Sequence, residues 1–225
     1  MINFIDIKNE EVLRYLEYKD QIIDDNLNKL IQQCRNITKD RINPRYTFRV
    51  YSIKKNKGII ELEGTNLNLE SRDLYNLLED CNRCILMAAT IGLDIEKDIK
   101  RYSYTDLTKG IIIDSCATVS IEEVCDVAQQ QIQDKVLQDG EYITSRYSPG
   151  YGDLSIEKNI DILNILNGQK EIGLTITSSG IMIPRKSVIA IIGITDKKVY
   201  NKKLCINCKN KSTCKFKKGV NDCGN

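Results

Sequence analysis

Tyr46-Thr47-Phe48-Arg49-Val50-Tyr51-Ser52-Ile53, followed by Lys54–Gly58 and then Ile59-Ile60-Glu61-Leu62-Glu63, is the stretch that decides the fold class. The first segment alternates and is rich in β-formers, the middle is a lysine-rich turn with a glycine, and the last resumes an apolar run. This order predicts a hairpin. Cys84-Ile85-Leu86-Met87-Ala88-Ala89-Thr90 reads as a buried strand closed by Gly92. Leu174–Thr177 and Val188–Ile194 read as two more strands, the second almost entirely apolar and therefore central. Glu141–Ser145 adds a short strand, and residues 2–7 alternate as another.

Helical patterns interrupt these strands. From Glu10 onward, Leu16, Ile23, Leu27, Leu30 and Cys34 recur at helical spacing, which predicts one long amphipathic helix to about Cys34, with Pro44 marking the break. Ser71 is placed to cap a short helix through Leu78, and Leu93–Tyr102 reads as helical. Asp106 to Leu137 is a second long helix, striped by Ile121, Val124, Cys125, Ala128, Ile132 and Val136 and ended at Gly140. Ser155 opens a helix to Leu166 that Gly168 stops. Strands in hairpins and pairs, without regular βαβ alternation, predict an α+β fold: a single domain with a mainly antiparallel twisted sheet and long helices. The expected organisation is a domain over residues 1–203 and a Cys-rich, Lys-rich C-terminal segment over 204–225.

Composition narrows the chemistry. Hydrophobic residues make up 41% of the 225, enough for a core. No run approaches the ~18 apolar residues of a membrane span. The start, Met1-Ile2-Asn3-Phe4-Ile5-Asp6, lacks the basic and apolar regions of a signal peptide, so a cytoplasmic protein is expected. The chain has no His, which excludes His-based triads, His-ligated zinc and a His general base. Its 13 glycines never fall as Gly-x-Gly-x-x-Gly or Gly-x-x-x-x-Gly-Lys, which excludes those phosphate-binding loops. The net charge of +2 hides an asymmetry, because nine Lys and no acid lie between Lys197 and Lys218. That basic end is either a solvated tail or a docking patch for an acidic protein or nucleic acid.

Arg146-Tyr147-Ser148-Pro149-Gly150-Tyr151-Gly152-Asp153 is the most informative loop. Pro149 fixes one φ angle, and Gly150 accommodates a positive φ or the close approach of a ligand. Arg146, at a strand end, carries a guanidinium able to grip a carboxylate with two parallel hydrogen bonds, and Tyr151 adds a flat ring with a polar tip. Such a loop suits a small zwitterionic or nucleoside ligand.

The order Arg-x-x-Pro-Gly-Tyr, followed by a helix and a strand pair, resembles the activation domain of cobalamin-dependent methionine synthase, in its short stand-alone bacterial form. Ala88–Gly92, Ile121–Asp126, Ile172–Thr177 and Lys186–Gly193 extend the resemblance over roughly residues 80–215. The resemblance implies binding of S-adenosylmethionine and reductive methylation of inactive cob(II)alamin to methylcobalamin. The partner carrying the cobalamin would be methionine synthase or another corrinoid protein, and the electron would come from an acidic donor such as flavodoxin or ferredoxin. Carried over, Arg146 would hold the methionine carboxylate, Ser148, Gly150 and Tyr151 would line the nucleoside side, and Glu122 would attract the sulfonium or amino group. In such a reaction the protein supplies orientation and electrostatics, so no catalytic side chain is expected. The chain departs from the large synthases in three places: Gly152 stands where they have Pro, Val188 and Ile189 stand where they have an aromatic pair, and their N-terminal aspartate contact has no counterpart.

Cys205-x2-Cys208-x5-Cys214-x8-Cys223 places four thiols at the basic end, a set suited to structural zinc or an iron–sulfur cluster. Cys81 and Cys84, like Cys34, Cys116 and Cys125, fall in apolar patterns and read as core residues. A metal-stabilised nucleic-acid-binding module is the competing class. It is disfavoured, because only Tyr200 and Phe216 accompany the lysines as stacking platforms.

Overall fold

The computed structural model describes residues 5–18, 21–138 and 140–198. The elements run α1 Asn9–Tyr15, α2 Asp25–Arg41, β1 Arg45–Asn56, β2 Ile59–Leu62, β3 Asn68–Glu70, α3 Arg72–Leu77, β4 Arg83–Thr90, α4 Asp94–Thr105, α5 Leu107–Val136, β5 Tyr142–Ile143, α6 Lys158–Leu166, α7 Gly168–Ile172, β6 Thr175–Ile176, β7 Met182–Ile183 and β8 Ser187–Thr195. A six-stranded sheet has the order β3-β2-β1-β4-β8-β5, and β6 and β7 form a separate antiparallel pair. The pairs β1–β2, β2–β3 and β5–β8 are antiparallel, and the class is α+β as expected. The chain divides into two compact units, each drawn from three separated stretches: Met1–Tyr46, Ala89–Gln130 and Gln169–Val188 in the first, Thr47–Ala88, Gln131–Gly168 and Ile189–Asn225 in the second.

The second unit holds most of the sheet. Its hairpin turns at Lys57 and Gly58, both at positive φ (47° and 87°), the backbone that a two-residue turn between twisted strands requires. The ladder continues to Asn56 opposite Ile59, so the turn is shorter than the Lys54–Gly58 read from composition. Every residue of β4 from Cys84 to Thr90 is buried, and β8, placed between β4 and β5, is buried from Ile189 to Thr195. The central position expected of the apolar 188–194 run is therefore correct. Ser71 caps α3, its hydroxyl accepting from Leu74 N at 3.0 Å. Lys55 Nζ donates to the C-cap carbonyl Leu78 O (3.2 Å) and, just past the helix, to Glu79 O (2.5 Å) and Cys81 O (2.9 Å).

The first unit is mainly helical. The single helix expected from Glu10 to Cys34 is two helices. Glu17 sits at φ 61° after α1, and Asp24 opens α2 by accepting from Leu27 N at 2.7 Å. The apolar period spans the gap between them, but a capping aspartate ends one helix register and starts another. Residues 5–8 form no strand, although Ile5 and Ile7 are buried and Arg35 Nε donates to Ile7 O at 2.7 Å. Asp98, on α4 and only 5% exposed, is paired with Arg41 Nε at 2.6 Å and Arg101 Nη2 at 3.0 Å. Glu96 accepts from the backbone of Arg185 and Lys186. α6 ends on Asn167 in the left-handed region (φ 55°), and Gly168 begins α7 rather than stopping α6. No helix among the described residues is long and apolar enough to cross a membrane.

Candidate functional site

The strand that leads into the Arg146 loop is irregular at the place where Arg146 stands. Tyr142 faces Thr195, Ile143 faces Ile194, Thr144 N donates to Gly193 O at 3.0 Å, and Tyr147 then faces Ile191. Between Thr144 and Tyr147 the chain advances three residues while β8 advances two from Gly193 to Ile191, so one extra residue is inserted. This is a β-bulge spanning Ser145 and Arg146, the device by which a strand re-aims a side chain. Gly193 N, which a regular ladder would satisfy with a carbonyl, donates instead to Thr144 Oγ1 at 2.8 Å. The Thr144 hydroxyl in turn donates to Ser145 O at 3.1 Å. A side chain at position 193 would overlap Cys81 Sγ and reach 2.5 Å from Leu78 Cδ2, so only glycine permits this close approach.

Beyond the bulge, Tyr147 exchanges backbone bonds with Ile191 at 2.9 and 2.8 Å. The loop then closes on itself. Tyr151 N donates to Ser148 O (3.1 Å), Leu154 N to Tyr151 O (3.1 Å) and Gly150 N to Leu154 O (2.9 Å), and Tyr147 Oη also donates to Tyr151 O (3.0 Å). Gly150 takes φ 92°, as the Pro-Gly order requires, and Pro149 is buried beneath the turn. The Tyr151 ring is 63% exposed and stands edge-on to Tyr147 with centroids 6.4 Å apart. Arg146 and Ser148 are half-buried. The predicted residues Arg146, Ser148, Gly150 and Tyr151 are thus brought into one short, internally bonded segment.

The far end of the loop is held by a contact that sequence reading missed. Asp153 Oδ1 accepts from Ser71 Oγ at 2.5 Å and from Asp73 N at 3.3 Å, and Oδ2 accepts from Arg72 N at 2.8 Å. The Ser71 hydroxyl, followed by the Arg72 and Asp73 amides, holds the Asp153 carboxyl below the usual aspartate range. Gly152 reaches this clamp at φ 54°, where an added side chain would overlap Asp73 Oδ2 and Tyr147 Oη. Proline, fixed near φ −65°, cannot adopt that backbone, so the Pro that the resemblance would place here does not fit this turn. The other departure on the late strand is apolar and inward: Val188 is half-buried and Ile189 is 2% exposed.

Glu122 stands exposed on the part of α5 that belongs to the first unit, whereas Arg146, Ser148, Gly150 and Tyr151 belong to the second. Burial raises the Tyr15 phenol pKa, Arg14 counteracts it by hydrogen bonding, and the charge of Glu122 adds to the rise. Cys205, Cys208, Cys214 and Cys223 lie outside the described residues, as does the expected boundary at 203. Among the described residues no group of three or more acidic or cysteine side chains is arranged to hold a metal ion. Cys34, Cys81, Cys84, Cys116 and Cys125 are buried, as expected of core residues. Burial pushes the thiols of Cys34 and Cys81 up to about 11 and those of Cys84 and Cys116 to about 12.

Among curated proteins none matches the chain. Among solved structures, a crystal structure of the MetH reactivation domain bound to AdoHcy shares the fold, with a TM-score of 0.63 at 14% sequence identity, over 86% of this chain and 71% of that one. The family model described as "Vitamin B12 dependent methionine synthase, activation domain" matches residues 82–207, more than half of the chain and the whole of the Arg146 loop. The chain belongs to the activation-domain family of vitamin B12-dependent methionine synthase.

Proposed function

We propose that this chain binds S-adenosylmethionine through the Arg146–Tyr151 segment and presents its methyl group to cobalamin carried by a partner, so that stalled cob(II)alamin is restored to methylcobalamin. The observation that carries this reading is the bulge that re-aims Arg146 beside a turn already closed by its own hydrogen bonds. Preorganisation of this kind lets a ligand bind without first ordering the loop. A related fold bound to AdoHcy, the demethylated form of S-adenosylmethionine, supports the same ligand class.

In this reading Arg146 pairs with the ligand carboxylate, the turn at Ser148 and Gly150 fits against the nucleoside, and the exposed Tyr151 ring supplies a flat apolar face. Glu122 attracts the positive sulfonium or amino group. The protein's work is alignment of the methyl group with the metal, which requires no acid or base. Cys205, Cys208, Cys214 and Cys223 would supply four thiolates for zinc or an iron–sulfur cluster, and the lysines of the same stretch would suit an acidic electron donor such as flavodoxin or ferredoxin. The partner is methionine synthase or another corrinoid protein.

Calorimetric titration tests the ligand. Arg146→Ala removes a charge-assisted contact and weakens S-adenosylmethionine by about 10–150-fold, or ~1.5–3 kcal/mol. Equal affinity of wild type and variant refutes the role of Arg146. Visible spectra of a Co(II) partner mixed with this protein, reductant and S-adenosylmethionine report methylcobalamin directly. Success with a corrinoid protein other than methionine synthase reassigns the partner.

A further inference from the structure

We infer that Asp153 is a positioning residue for the ligand loop: its carboxylate locks the outer end of the Arg146–Gly152 segment onto the start of α3, and S-adenosylmethionine affinity depends on that lock. The inference rests on the proposed ligand. It goes beyond that reading in assigning a role to a residue pair, Asp153 and Ser71, drawn from distant parts of the chain.

The argument is mechanical. Ser148, Gly150 and Tyr151, three of the residues assigned to the ligand, are strung between two anchors. The inner anchor is the Tyr147–Ile191 bridge, with two backbone bonds of 2.9 and 2.8 Å into a central strand. Between the anchors the loop carries bonds within itself, through Ser148, Gly150, Tyr151 and Leu154 and the Tyr147 hydroxyl. Such local bonds, with Pro149 and Leu154 buried at the base of the turn, keep the turn's shape. The residues from Gly150 through Asp153 are exposed, so packing does little to hold them. The outer anchor ties this exposed stretch, with Tyr151 and the Gly150 backbone, to the start of α3.

Asp153 supplies that anchor with three bonds, at 2.5, 2.8 and 3.3 Å, to Ser71, Arg72 and Asp73, which lie 80 to 82 residues away in sequence. Two of the three are backbone amides at the start of α3, which prefer an anionic acceptor. Ser71 is itself fixed, because its oxygen also accepts from Leu74 N at 3.0 Å. Gly152 fits the design: its positive φ turns the chain into the clamp, and no side chain has room there. The depressed carboxyl pKa keeps the acceptor ionised at neutral pH.

The test uses the full chain and three readouts. S-adenosylmethionine is titrated calorimetrically into wild type, Asp153→Asn and Asp153→Ala. Thermal unfolding is followed for each, and amide hydrogen exchange is measured at Tyr151 and Gly152. The Ala variant is expected to bind about ten-fold or more weakly. It should remain folded at the titration temperature and exchange faster at Tyr151 and Gly152. In the Asn variant an amide nitrogen replaces Oδ2 and faces the Arg72 N–H, so one bond of the three is lost and the loss of affinity is intermediate. Wild-type binding with equal affinity in both variants overturns the positioning role alone. Affinity lost only in step with global unfolding also overturns it, since that marks a purely structural residue. Absence of binding by wild type overturns the proposed ligand, and this inference with it.

Discussion

Thr144→Val isolates the bulge that aims Arg146. The substitution keeps the branched shape of the side chain and removes only Oγ1, which accepts from Gly193 N at 2.8 Å and donates to Ser145 O at 3.1 Å. Thr144 is 5% exposed and Gly193 is buried, so water does not replace the lost acceptor. A buried N–H left without a partner costs about 1–3 kcal/mol. Ser145 is half-buried, so its carbonyl is solvated at little cost. The expected destabilisation is therefore ~1–3 kcal/mol, read as a lower midpoint in urea with an unchanged slope. The bulge then has a way to relax: the strand can slip back toward a regular ladder, which turns Arg146 to the other face. S-adenosylmethionine affinity should fall with stability, although Thr144 is not among the residues assigned to the ligand. An unchanged midpoint would show that the hydroxyl does not complete the ladder. Lower stability with full ligand affinity would show that the bulge does not set the direction of Arg146.

Three further outcomes follow from the geometry. Gly152→Pro, which restores the residue of the large synthases, forces φ from 54° toward −65° and should cost about 2 kcal/mol or more of stability and at least ten-fold in ligand affinity, measured by melts and titration. Acid should unlock both Asp153 and Glu141, whose carboxyl is held low first by Gln138 N and then by Arg83. Folded pKa values below the unfolded ones mean stability that is present above about pH 4–4.5 and lost as pH falls through the folded values; in urea titrations across pH, the gap between wild type and Glu141→Gln should be full at neutral pH and close in acid. At pH 8 a thiol reagent should leave Cys34, Cys81, Cys84, Cys116 and Cys125 untouched in the native protein, while elemental analysis of protein purified without oxygen should return zinc, or iron with sulfide, on the C-terminal thiols.

What could be read from the chain, and what could not, divides by distance along it. The hairpin was legible because its signals are neighbours: alternating β-formers and a Gly that tolerates φ 87°. The capped α3, the central apolar β8 and the buried cysteines were legible for the same reason, each resting on residue type within one element. The break between α1 and α2 was written locally too. Asp24 caps α2 and Asp25 follows as an acidic first-turn residue, but a continuous apolar period masked them. The Arg146 loop showed its Arg, Pro and Gly in eight consecutive residues. Its two supports did not, because each pairs the loop with a residue chosen elsewhere for a different local reason. Ser71 reads as a helix cap and Gly193 as one residue of the apolar 188–194 strand. Only the fold turns the first into the seat of Asp153 and the second into the donor that Thr144 must satisfy. A motif thus points to groups suited to a ligand, while their orientation rests on partners that a motif search passes over. In this family, departures such as Gly152 are best judged against those partners: the glycine belongs with Asp153 and Ser71, and exchanging it alone breaks the set.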